Sequence, residues 1–180
     1  MKRKPRTRAV LAGGLAVAAL GTFAAGVGVA QSGGKDGRQA TAAAKDDRRA
    51  KAGEREIAGL FDRWNAALVS GDPERVTELY AEDAVLLPTA SPRIRTNHAE
   101  ITDYFEHFLQ KKPRGEKVRS VIHVLDRNSA IDAGLYRFHL TDPKTGVTKA
   151  VDARYTYAYE KRDGTWLIVN HHSSVLPAEG

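Results

Sequence analysis

Cysteine is absent from the 180 residues, and methionine occurs once, at the start. This excludes disulfides, thiolate metal sites and a cysteine nucleophile. Fold stability must therefore come from packing. Residues 31–52 lack any aromatic or large aliphatic side chain. They read as a flexible linker, with a frayed helical extension over 40–52. Residues 1–8 carry Lys2, Arg3, Lys4, Arg6 and Arg8 and no acid. Residues 9–30 are apolar or small apart from Thr22, and small residues Gly28 and Ala30 precede a polar run. This is the layout of a secretory signal peptide over 1–30. Uncleaved, the same run is long enough to anchor the chain across ~30 Å of hydrocarbon. A secreted or extracytoplasmic location is expected either way. The net charge of +6 falls to near +1 once the five basic residues of 1–8 are discounted. A balance that close to zero gives no broad field for nucleic acid.

Residues 53–180 are long enough for one sizeable core. Ile57, Leu60, Phe61, Trp64 and Leu68 share the face of a first helix that ends at Ser70-Gly71. Asp72-Pro73 restarts a short helix, with Val76, Leu79 and Tyr80 as its apolar face. A strand over 84–87 follows. Asn97 caps a third helix, with Glu100 placed for a capping box. Turn residues then separate strands over 118–125, 130–140, 149–161 and 165–175. Short connections make them antiparallel. The fold class is α+β: three helices on a curved, mostly antiparallel sheet, with a pocket on its concave side.

Polar residues interrupt the sheet. The closing strand reads Trp166-Leu167-Ile168-Val169-Asn170-His171-His172-Ser173-Ser174. Alternation puts Asn170, His172 and Ser174 on one face, and His171 and Ser173 on the other. Asp152 and Arg154 share a face opposite Tyr155, Tyr157 and Tyr159. Arg137 lies opposite Tyr136 and Phe138. If the three polar sets meet, two guanidiniums, a carboxylate, an imidazole and an amide surround a site for a small anionic or polar ligand. A structural network bridging the arginines at a subunit interface is the alternative. An Asp152–His172 pair could serve as a general base, because a carboxylate fixes the imidazole tautomer. The tyrosine stripe fits core packing or an oligomer interface. His98, His107, His123, His139 and His171 show no ligand spacing, so no metal is expected. No cofactor is expected, and Ser173-Ser174 lacks a nucleophile elbow.

Three segments carry a family resemblance over about residues 54–177. They are Val85-Leu86-Leu87-Pro88-Thr89 with Arg95, Asp103-Tyr104-Phe105-Glu106-His107-Phe108-Leu109, and Ala153-Arg154-Tyr155-Thr156-Tyr157 with the closing strand. These resemble the nuclear transport factor 2-like superfamily. More closely they resemble the association (hub) domain of calcium/calmodulin-dependent protein kinase type II and its bacterial relatives. The resemblance implies a cone-shaped fold, self-association as a homodimer or larger ring, and a pocket for small carboxylates. By position, Arg137 and Arg154 resemble two pocket arginines and His172 the second histidine of the closing strand. Asn170 departs from the hub, which has a histidine there. Tyr104 resembles an aromatic at the rim, and Arg95 joins the candidate set from the preceding loop. There is no kinase catalytic pattern and no dinucleotide fingerprint. Other superfamily members are isomerases, dehydratases and cyclases, so the resemblance leaves both binder and enzyme open.

Overall fold

A computed structural model describes residues 36–178; the expected signal segment over 1–30 lies outside the described residues. The first helix is far longer than its apolar face. Helix α1 runs Asp36–Ser70, so most of the expected linker is helical. Its side chains over 41–52 are all exposed, whereas Ile57, Leu60, Phe61, Trp64 and Leu68 are buried. The change falls where the large apolar residues begin, since only they gain by leaving water.

Helix α2, Pro73–Thr77, is capped by Asp72, whose side chain accepts from the Arg75 amide. It stops before Tyr80, because strand β1 (Tyr80–Leu87) takes Tyr80 and Ala81. The expected apolar face of that helix is thus divided between a helix and a strand. Helix α3, His98–Phe108, starts at Asn97, whose side chain accepts from the Glu100 amide at 3.0 Å. Glu100 accepts in return from the Thr96 amide at 2.9 Å. A 3-10 turn, Leu109–Lys111, leads to β2 (Arg114–Val124), β3 (Ser129–Thr141), β4 (Thr148–Arg162) and β5 (Thr165–Val175).

The sheet order is β1-β5-β4-β3-β2, antiparallel except for β1 against β5. Irregularities at Lys117/Arg119 and Ala158/Tyr159 break the ladder, and such bulges bend strands. Helix α1 lies on one face of this sheet. Trp64 packs edge-on against Phe138, Tyr157 and His171. Phe61 packs against Tyr136 and Tyr155. Tyr155, Tyr157 and Tyr159 are therefore core side chains. Asn65 ties helix to sheet: its amide donates to the Gly115 carbonyl at 3.0 Å and accepts the Gly115 amide at 2.7 Å.

Gly134 sits beside the β2 irregularity. A Cβ there would stand 1.9 Å from the Arg119 carbonyl oxygen. No rotamer relieves a clash with backbone, so Gly134→Ala is expected to cost about 3 kcal/mol, the upper end for overpacking. Urea unfolding checks this, with Gly59→Ala in α1, which has open space and no positive φ, as the comparison for an added methyl.

Candidate functional site

The two sheet faces differ in chemistry. The inner face, against α1, carries Asp132, Tyr136 and Phe138 of β3, Ala153, Tyr155 and Tyr157 of β4, and His171 and Ser173 of β5, all buried. The outer face carries Arg137, Asp152, Arg154 and His172.

The expected meeting of Arg137, Arg154, His172, Asn170 and Asp152 inside the cone is corrected by this arrangement. They share a face, but it is the one turned away from the helices. Arg137 is bidentate to Asp152, Nε to Oδ1 at 2.6 Å and Nη2 to Oδ2 at 3.0 Å. Both side chains are nearly half exposed, 43% and 46%. This bond holds the Asp152 carboxyl below its ordinary range and raises Arg137. Arg154 donates to Ser174 at 3.0 Å and is exposed. His172 pairs across the ladder with Thr156, while Asp152 pairs with Arg137. Four strand residues, roughly 13 Å, therefore separate Asp152 from His172. They form no acid–base pair. An exposed ion pair contributes little to stability, so Asp152→Asn is expected to leave the melting temperature nearly unchanged.

The interior holds a different set. A cavity of about 50 Å³ is lined by Trp64, Thr89, Tyr104, Phe105, Phe108, Tyr136, Phe138, His171 and Ser173 among others. Tyr136 donates its hydroxyl to Ser173 Oγ, which also bonds Thr89 Oγ1. Trp64 Nε1 donates to Tyr80 Oη at 3.1 Å, and Tyr80 Oη bonds His171 Nδ1 at 2.8 Å. His171 is 3% exposed, and its Nε2 has no hydrogen-bond partner. Burial, with a smaller contribution from His172, pushes its pKa down to about 3. It is a neutral imidazole at ordinary pH. Burial also raises the Tyr80 and Tyr136 phenols, which keep their protons.

Tyr104 lines this cavity and, with Arg95, a neighbouring one. Arg95 is 5% exposed and bridges Leu86 through its backbone. Its Nη1 donates to the Arg93 carbonyl at 3.0 Å, and Nη2 lies 3.9 Å from Asp103. The guanidinium sits 5.8 Å from the Tyr104 ring centre, a cation–π contact. Its buried Nε has no partner. Arg95, Tyr104, His107 and Lys111 help line a second cavity of about 300 Å³, which shares Ala90, Tyr104 and Phe108 with the lining of the first. Among the described residues, those lining clefts of about 520 Å³ and 840 Å³ elsewhere carry no unpartnered buried polar atom.

The model of the calcium/calmodulin dependent protein kinase II association domain matches residues 53–177. The chain belongs to this family. A solved Xanthomonas campestris structure described as such an association domain is 56% identical, with a TM-score of 0.67 over 68% of this chain and 87% of that one. The association domain of the C. elegans kinase is 17% identical, with a TM-score of 0.59 over 71% and 98%. A ketosteroid isomerase-like protein from Erwinia carotovora atroseptica is 16% identical, with a TM-score of 0.57 over 68% and 95%. The last two likenesses are of fold alone. No curated protein matches.

Sequence reasoning passed over His171, Ser173, Tyr136 and Thr89 as site residues. The signal was present: His171 and Ser173 share the face of the tyrosine stripe. The more apolar face of a sheet packs against helices, so polar groups on that face are the interior ones.

Proposed function

We propose that this chain is an exported, self-associating domain whose cone holds a small polar ligand. The family membership supports association, and the outer sheet face supplies a surface for it. Ile131, Ala133 and Leu135 form a half-buried aliphatic strip there, extended by Val121, which is 43% exposed. Arg119, Arg154, Asp152 and Glu160 lie around the strip. A second copy of the chain is the occupant that fits. Both signs of charge border one apolar strip, so a two-fold related copy can match it.

The observation that carries the ligand half is the pair of unpartnered buried nitrogens, Arg95 Nε and His171 Nε2, on residues lining two cavities that share Ala90, Tyr104 and Phe108. Buried polar atoms without partners are uncommon and call for one. The enzyme alternative, using an Asp152–His172 pair, loses its geometry, and among the described residues no carboxylate lines the inner cavity.

Light scattering on the exported protein tests the association. The expected mass is twice the single-chain mass or a higher whole multiple; a single-chain mass at micromolar concentration contradicts the reading. N-terminal sequencing of the same material tests export and cleavage, with Gln31 expected as the first residue.

A further inference from the structure

The hydrogen-bond chain behind the inner cavity restricts what that cavity can bind. Tyr80 is 1% exposed, and its oxygen already accepts the Trp64 indole N–H. Its own hydroxyl hydrogen then has one partner in reach, Nδ1 of His171 at 2.8 Å. If Nδ1 instead carried the imidazole proton, the Tyr80 hydrogen would be left buried and unbonded. A buried donor without a partner costs about 1–3 kcal/mol. The imidazole proton therefore sits on Nε2. Trp64, Tyr80 and His171 act as a relay that fixes this tautomer. Trp64 and His171 also pack edge to face at 5.4 Å, and Tyr157 stacks on the imidazole at 4.1 Å, so the ring cannot turn freely.

The result is an N–H donor, buried and unpartnered, on a residue that lines the cavity. The ring is neutral, and the remaining lining is mostly aromatic and aliphatic. Such a lining does not offset the desolvation of an anion. Charged groups, Arg95, Lys111 and Asp103, border the neighbouring outer cavity instead. About 50 Å³ has room for a group of only a few heavy atoms.

We propose that the cone binds its ligand through a neutral acceptor oxygen, a ketone or amide carbonyl, held by the Nε2–H of His171. This rests on the cone being the ligand cavity, and it names the chemistry that cavity selects. Trp64 and Tyr80 are positioning residues; His171 makes the contact.

The test uses the full exported protein with ring-nitrogen NMR of its histidines and two probes of equal size, acetone and acetate. His171 is expected in the Nε2–H form before any probe is added. Acetone is expected to shift the His171 and Ser173 signals, and acetate at the same concentration to leave them unmoved. In Tyr80→Phe the proton is no longer directed to Nε2, and acetone binding is expected to weaken about fivefold to tenfold. Recovery of an Nδ1–H tautomer in the wild-type protein overturns the proposal without any variant. Acetate entering in preference to acetone also overturns it, while leaving the ligand-binding reading intact. If neither probe reaches the cavity, both fall.

Discussion

Leu135→Arg is expected to reduce the particle to single chains. Leu135 lies on the outer face, opposite Arg119 on one neighbouring strand and Arg154 on the other. A third guanidinium between these two would bring like charges together and force their desolvation if a second copy covered the strip. Aspartate would be a poorer test, because the flanking arginines would pair with it. Leu135 is not part of the buried core of one chain, so unfolding of the separated chain is expected to remain cooperative. The expected change is at least a hundredfold weaker association, on the scale of about 3 kcal/mol for burying an unpaired charge at an interface. Analytical ultracentrifugation over a concentration series reads it. An unchanged mass would show that association uses some other surface.

A pH-dependent loss of stability is the second large effect. His171 has a pKa of about 3 when folded, against 6.5 for an unperturbed histidine. The unfolded chain therefore takes the proton first as pH falls. The stability associated with neutral His171 is fully present above about pH 6.5. It is lost at about 1.4 kcal/mol per pH unit below that and levels off near pH 3. At pH 5 the loss is about 2 kcal/mol. Carboxylates such as Asp83 and Asp142, held below their ordinary values by Arg162 and by backbone amides, add acid sensitivity of their own. His171→Gln retains those groups and removes the imidazole. Its stability is expected to fall less steeply between pH 6.5 and 5, by close to one proton. Equal slopes in the two proteins would mean that His171 titrates normally.

Much of the fold was legible in the chain because local signals agreed with packing. The Ile57–Leu68 spacing marks the part of α1 that is buried, and Asn97 caps α3 as its position implies. The strand ladder follows from turn residues between β-rich runs. What local signals could not show was tertiary. Tyr80 and Ala81 look helical beside Val76, yet β1 claims them because the Leu79 carbonyl accepts from the Ile168 amide at 2.9 Å. Residues 40–52 read as a frayed helical extension of a flexible linker, and the helix in fact starts earlier, at Asp36.

Of the candidate site residues, Arg95 and Tyr104 do border the cavities, whereas the strand residues were assigned to the wrong face. Each strand's residues were divided into the right two sets, but the charged set was placed inside. Arg137, Asp152, Arg154 and His172 drew attention because they are unusual in strands. Exposure explains them: guanidinium and carboxylate stay in water or pair with each other. His171 and Ser173 looked like the remainder, and their partners, Tyr80, Tyr136 and Thr89, come from other elements. Asp132 was equally invisible. It becomes a buried acceptor only when β2 brings Ser120 to 2.6 Å and β4 brings Tyr155 to 3.1 Å.

The division of labour between the faces can be read directly from methyl NMR of the assembled protein with a water-soluble paramagnetic agent. The account predicts that the methyls of Ile131, Ala133, Leu135 and Val121 are shielded, while those of Val69 and Val147, exposed away from that strip, broaden strongly. Broadening of all six alike would contradict it, because the outer face would then be open water rather than a seam between two copies.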